Sequence, residues 1–268
     1  MRSVRSWRAR DSLAVMAPPA KHRAIKSAER TLALLELFSK TQGPLTVGQV
    51  SRELGIPQPS TSMLMHNLTR LGYLEHDRVH RTFAPSIRVA LLGSWIGRRF
   101  DETHSLASRL DVLQRKVGET AYIAIQNGVL GQYVMAQSSD NPDTLDIASG
   151  QFRSLTCTAF GRALLAIKPD VEIASWVKRC NAEATDERLK VKLPQFMKLI
   201  TQVRANGYGE TAGDQTPGLG AFAMVFPSPL GHMPLAVGAG GPLQRVQKKK
   251  RLILAALRDF VVAFQPPA

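Results

Sequence analysis

The sequence predicts an α+β chain in two parts, a winged helix-turn-helix followed by a larger mixed domain. Three observations predict it. Between Ser27 and Phe83, three helical patterns in succession lead into a short charged ribbon. Beyond about residue 120, short runs with strand character mix with longer helical patterns. At 268 residues the chain is long enough for two domains, each with its own core.

The first helix is expected from about Ser27 to Lys40. Thr31, Leu34, Leu35 and Phe38 fall at i, i+3, i+4 and i+7, one buried stripe. Ser27 stands as its N-cap and Gly43-Pro44 ends it. Thr46 caps a second helix, Val47 to Leu54, that buries Val47, Val50 and Leu54. Gly55 suits the left-handed position that lets the chain turn sharply. Pro57 and Pro59 bracket the start of a third helix, about Gln58 to Leu71, where a missing N–H costs nothing.

By the 100° step, Leu64, Leu68 and Leu71 form the inner face of that third helix. Pro59, Ser62, Met63, His66, Thr69 and Arg70 form its outer face. Such a face fits a major groove about 12 Å wide. Gln58, Ser60, Thr61 and Ser62 lie at the N-terminal end, where recognition helices meet bases and phosphates. Gln58 has the chemistry to pair with adenine through two hydrogen bonds. Tyr73 to Phe83 reads as two short strands around a polar turn, with Arg78 and Arg81 placed near the nucleic-acid backbone or minor groove. The expected DNA contacts are therefore Thr46, Gln58, Ser60, Thr61, Ser62, Met63, His66, Arg70, Arg78 and Arg81. His66, His76 and His80 lack cysteine or carboxylate partners at ligand spacing, so no metal is expected.

Charge supports a polyanionic partner. The net charge is +14. Residues 1–26 carry seven Lys/Arg against Asp11 alone, and residues 27–100 carry nine against five acids. Most of the excess thus precedes residue 101, on and beside the predicted DNA-reading unit. Residues 1–26 lack hydrophobic periodicity and read as a disordered basic arm. The longest apolar stretch, Leu252 to Phe264, is interrupted by Arg258 and Asp259, so no membrane partner is expected. Two cysteines, Cys157 and Cys180, make no disulfide framework and fit a reducing cytoplasm.

In the second part, Leu106 to Val117 is an amphipathic helix and Ala121 to Gln126 alternates as a strand. Asn127-Gly128 signals a hairpin leading into Gly131 to Met135. Helices are expected from Thr158 to Ala166, from Val191 to Asn206 with Gly207 after it, and from Gln244 to Phe264. Ala221 to Phe226 and Leu235 to Ala239 read as buried strands joined by a Pro/Gly turn.

With these elements in place the chain resembles the IclR family of bacterial transcriptional regulators. The residues that carry the resemblance run in order through most of the chain. They are Ser27-Ala28-Glu29-Arg30, Gly43-Pro44-Leu45, Leu54-Gly55-Ile56-Pro57 and Leu71-Gly72-Tyr73, then Gly118-Glu119-Thr120-Ala121, the run Thr158 to Ala166, Gly207-Tyr208 and Pro217-Gly218. The resemblance implies a winged helix-turn-helix at 27–84, a linker helix at 85–100 with Ile87, Ala90, Leu91, Ser94 and Trp95 on one side, and an α/β effector-binding sensor domain of the GAF/profilin-like kind at 101–268. It implies a homodimer or homotetramer on a palindromic operator, repressing or activating in response to a small molecule, with no cofactor.

By position, the resemblance places an effector site at the N-terminus of the helix that starts Thr158, Ala159, Phe160, Gly161, walled by Tyr133, Met135, Leu155 and Phe160 and completed by Cys157, Thr211, Asp214, Ala221, Gly238 and Gly240. Several positions depart from the family pattern. Ala221 stands where a cysteine is common, Gly238 and Gly240 where Ser-x-Ser is common, and Thr156 where a histidine often stands. Residues 209–214 keep only Glu210 and Asp214 of an acidic run, and Ser62-Met63 replaces a usual His-Arg. The pocket changes among these remove polar groups or add space, which suggests a larger, more apolar or aromatic effector than a small keto acid. The helix N-terminus suits one carboxylate.

Two other classes fit the sequence less well. A non-specific nucleic-acid binder using the basic arm lacks an aromatic RNA-binding strand or a KH loop. An enzyme using Cys157 as nucleophile lacks a Gly-x-Ser-x-Gly, His-Glu-x-x-His or phosphate-loop motif and leaves the first hundred residues without a role, so no catalytic residue is expected.

Overall fold

The computed structural model describes residues 25–92, 106–141, 143–228 and 233–264. They form two compact units, one on each side of residue 102. The expected basic arm lies outside the described residues up to residue 24, as do Ser94, Trp95 and the rest of the linker helix beyond Leu92.

The first unit is built from α1 (Lys26–Thr41), α2 (Val47–Leu54), α3 (Gln58–Arg70) and the hairpin β1 (Leu74–Asp77) and β2 (Thr82–Pro85). Its core is Leu34, Phe38, Leu45, Val50, Met65, Leu68, Leu74 and Phe83. The N-cap of α1 is Ile25, with no side-chain hydrogen bond, and Ser27 lies inside the first turn, where its carbonyl accepts from Thr31 Oγ1 at 2.8 Å. The left-handed residue that ends α1 is Gln42 at φ 52°, one position before the expected glycine. Thr46 caps α2 in full: its side chain accepts the Gln49 N–H, and Gln49 Oε1 accepts the Thr46 N–H at 2.8 Å. Gly55, at φ 62°, makes the turn into α3.

The phase of α3 differs from the expected one. Thr61, Met65 and Leu68 are its buried residues, while Leu64 is half-buried and Leu71 is exposed. Thr61 can sit inside because its hydroxyl donates to the Ile56 or Pro57 carbonyl, at 3.3 and 3.2 Å. The hairpin turn lacks an Asn-Gly signal, and Asp77 supplies the geometry instead. Its Oδ1 accepts the Val79 and His80 N–H groups, and Arg81 takes a left-handed φ of 52°. Leu45 and Phe83 exchange backbone hydrogen bonds, tying the strand β2 to the segment before α2. After β2, α4 (Ile87–Leu92) is braced by Ser86 Oγ donating to Gly72 O at 2.6 Å and Arg88 Nη1 donating to Leu71 O at 3.1 Å.

The second unit carries α5 (Leu106–Val117), β3 (Thr120–Asn127), β4 (Leu130–Gln137), β5 (Phe152–Ser154), α6 (Ala159–Ala166), α7 (Asp170–Glu183) and a short 3₁₀ turn at Glu187–Leu189. Then come α8 (Leu193–Asn206), β6 (Gly209–Ala212), β7 (Leu219–Phe226), β8 (Leu235–Pro242), α9 (Leu243–Lys248) and α10 (Lys250–Val262). The six strands form one antiparallel sheet in the order β5-β4-β3-β8-β7-β6. On one face Ala121, Ile123, Phe222, Met224 and Val237 pack with α5 and α10. On the other Tyr122, Ala124, Ala223 and Ala236 pack with Ala159, Phe160 and Leu164 of α6. A third cluster joins α6 to α7 and α8 through Leu165, Ile173, Val177, Phe196 and Ile200. The strands alternate between two buried faces, so the sheet is the middle layer of three.

Three further differences concern elements. The β3–β4 turn has Gly128 and Val129 at its centre, since Asn127 pairs with Leu130. Gly128 alone is at positive φ, as a Gly-X two-residue turn requires. The expected long last helix breaks at Lys249, which leaves the helical region so that its ammonium reaches Glu119 Oε1 at 2.8 Å. Arg245 Nε meets the same fully buried carboxylate at 2.6 Å. The helix α7 and the strands β5 and β6 were not foreseen.

Candidate nucleic-acid interface and ligand cavity

The outer face of α3 is open to solvent in the first unit. Gln58, Met63, His66, Asn67 and Arg70 are exposed, and Ser60 and Ser62 are half-buried. Met63 is 73% exposed. Arg70 Nη2 donates to Asn67 Oδ1 at 2.9 Å. His66 is held from below, its ring edge-on to His76 at 5.3 Å and to Phe83 at 5.2 Å, while His76 stacks flat on Phe83 at 4.2 Å. Arg78 and Arg81 are exposed in the hairpin turn. The carboxylate that shapes this turn, Asp77, is held down to about 2 by its bond to the His80 side chain, 2.7 Å to Nδ1, and by the His80 and Val79 N–H groups. Thr61 does not belong to this face: it is fully buried, because its hydroxyl is spent on the turn before the helix. Thr46 stands half-buried with its hydroxyl engaged in the capping box. Asn67 was missed; its i, i+3 spacing to Arg70 was the available signal.

Between α6 and the sheet face it covers, the second unit has a half-open pocket of about 480 Å³, much of it solvent at the mouth. Tyr122 and Tyr133 form its aromatic wall, with ring centres 5.0 Å apart. Leu145, Ile147, Leu219 and Ala221 supply apolar lining. Polar groups come from Thr158, Thr211, Gln215 and Thr216, and a guanidinium from Arg153. Burial pushes the Tyr133 hydroxyl up to about 12 against a smaller opposing pull from Arg153, and pushes Tyr122 well above the ordinary tyrosine range. Gln215 Oε1 accepts the Ser154 N–H at 3.1 Å, which fastens the β6–β7 loop across to β5 at the cavity's rim. Thr158 caps α6, its side chain accepting the Gly161 N–H and donating to Ser154 O at 2.9 Å.

Residues 27–78 match the IclR helix-turn-helix domain and residues 97–264 match the bacterial transcriptional regulator IclR C-terminal domain. The chain belongs to the IclR family of bacterial transcriptional regulators. Among its IclR-family relatives, the Pca regulon regulatory protein of Pseudomonas putida is 26% identical, covering 94% of this chain and 93% of its own. The glycerol operon regulatory protein of Streptomyces coelicolor is 25% identical over 88% of this chain and 94% of its own. The fold matches the IclR transcriptional regulator of Alicyclobacillus acidocaldarius with a TM-score of 0.66 at 18% identity, over 90% of this chain and 98% of that one. The Thermotoga maritima IclR gives 0.63 at 15% identity, over 90% and 99%.

Of the residues placed at the IclR-type effector site from sequence, Tyr133, Thr158, Ala159, Thr211 and Ala221 line the cavity. The others do not, and each has a physical reason. Met135 packs with the opposite face of the sheet. Leu155 belongs to the α7–α8 cluster. Cys157 is buried, with Sγ 3.4 Å from the Leu189 carbonyl. Phe160 stands behind the wall, its ring 5.1 Å from that of Tyr133. Gly161 lies against backbone, since a Cβ there would come within 1.9 Å of Leu155 O. Asp214 is turned away to Arg162 Nη2 at 2.6 Å and to the Ala212 N–H.

Gly238 and Gly240 correct the idea of added space. A Cβ on Gly238 would fall 2.5 Å from the Tyr122 ring, and one on Gly240 2.9 Å from Leu145. The room left by the missing side chains is already filled by those two residues, so the cavity is compact. Tyr122, Leu145, Ile147, Arg153, Gln215, Thr216, Leu219 and Gly220 are the lining residues that sequence reasoning missed. The alternation of β3 was a usable signal for Tyr122, which shares its face with Ala124.

Proposed function

We propose that the chain is a sequence-specific DNA-binding regulator whose grip on its operator is set by a small molecule in the cavity of the second unit. The observation that carries this reading is the pairing, in one IclR-family chain, of an exposed α3 face with a half-open pocket lined by aromatic, apolar and a few polar side chains. Gln58, Ser60, Ser62, Met63 and the Arg70–Asn67 pair meet base edges and nearby phosphates, while Arg78 and Arg81 meet the backbone beside them. Copies of the chain associate so that two such units read the halves of a palindrome. The effector acts through its differential affinity for two arrangements of the assembly. Leu145, Ile147, Leu219 and Ala221 suit a compact apolar or aromatic body.

The test is binding of the full chain to the duplex upstream of its own gene, against a scrambled duplex, at physiological salt. A dissociation constant of order 10⁻⁸ M or tighter is expected for the first. The scrambled duplex should bind at roughly 10⁻⁴–10⁻⁶ M. Equal, weak and salt-sensitive binding to every genomic fragment would instead favour a non-specific nucleic-acid binder.

A further inference from the structure

Two arginines of the second unit are almost wholly buried, Arg162 at 5% and Arg153 at 4% exposure. Their surroundings differ. Arg162 is satisfied on every side: Nε donates to Thr156 O, Nη1 to Glu210 O at 2.7 Å, and Nη2 to the Asp214 carboxylate at 2.6 Å. Arg153 donates through Nη1 to the carbonyl of its own neighbour, Phe152, at 2.8 Å, and has no ion pair among the described residues. Asp146, an exposed residue, acts on it only at longer range. A guanidinium has five N–H donors and cannot shed its charge, so burial without a counter-charge is costly. Arg153 alone of this pair lines the cavity.

We propose that Arg153 is the residue that reads charge in this cavity, and that the effector is a monocarboxylate on a compact apolar body. This rests on the reading of the cavity as the effector site. One unneutralised guanidinium balances one negative charge. A phosphomonoester carries about −1.5 to −2 at neutral pH and would leave charge unmatched in a buried place. A carboxylate matches the guanidinium fork with two parallel hydrogen bonds. Tyr133 interacts with Arg153 and Tyr122 lines the same pocket, both held in the neutral, proton-donating form by burial. The apolar remainder of the ligand meets Leu145, Ile147, Leu219 and Ala221.

The test uses thermal unfolding of the full chain with benzoate, phenylacetate and hexanoate, each against its neutral amide, and with inorganic phosphate. At a tenfold excess over Kd at least one acid should raise Tm by roughly 3–6 °C, and its amide and phosphate by far less. Arg153→Met should abolish the response to the acid and raise Tm without added ligand, because it removes a buried charge that makes no ion pair among the described residues. Arg153→Lys should keep part of the response. Amides as effective as acids, with Arg153→Met still responding, would overturn the role of Arg153 and leave the cavity as a binding site. A fall in Tm for Arg153→Met without ligand would mark a structural arginine and overturn the proposal. Silence from both series would overturn this inference and the cavity's role together.

Discussion

Asp77 shapes the hairpin turn through one carboxylate that accepts three N–H groups, two from the backbone and one from His80. Its pKa lies at about 2 in the folded chain, against 3.8 ordinarily. A lowered pKa means that the folded state prefers the ionised form. The stabilisation is therefore fully present above about pH 4 and is lost as pH falls through about 2. A carbon-detected NMR titration of the Asp77 carboxyl should give a midpoint near 2, and Ala in place of His80 should move that midpoint back toward 4. A midpoint already near 4 in the unaltered chain would show that the bond to His80 does not hold in solution. At this scale the sequence was only partly legible. Residue types at the site were readable, since threonine, serine and glutamine cluster at the start of α3. Which of them face outward depends on helix phase, and the phase is set by the turn at Ile56-Pro57, where the Thr61 hydroxyl finds its acceptors. Leucine content suggested Leu64 and Leu71 as the inner residues, and a methionine and a threonine took their places.

Helix α2 is eight residues long and depends on its cap more than a longer helix would. Thr46→Ala removes the side-chain half of the capping box and should cost about 1 kcal/mol, read as a lower urea midpoint at unchanged m-value. Thr46→Ser should restore most of it. No change in midpoint would mean that tertiary packing alone fixes α2. Elements with strong local signals were read well. Thr158 and Gly207 mark the ends of α6 and α8 as expected. Others lacked such signals. Helix α7 shows only Ile173, Val177 and Cys180 on its buried stripe, among residues that are mostly solvent-facing. Strands β5 and β6, of three and four residues, are too short to display a period. The break at Lys249 has no local cause in the sequence. It reflects the pull of Glu119, 130 residues away along the chain.

For the molecule as a whole, the excess positive charge becomes a measurable property. If Arg78 and Arg81 each meet a phosphate, replacing either with alanine should lower the slope of log K against log salt concentration by about 1 on operator duplex. Sequence preference should be retained. An unchanged slope would remove that residue from the interface. The order of strands was the least legible feature, because nothing local announces that β3 lies beside β8. That pairing sets Thr120 against Gly240 at the centre of the sheet. On the ribosome, the helix-turn-helix has all of its residues by the end of β2 and can fold early. The central pair of the sheet cannot close until its partner strand has been synthesised, on the order of ten seconds later at usual elongation rates. Each newly made chain thus passes through an interval in which all the residues of its helix-turn-helix are made while its six-stranded sheet still lacks β8.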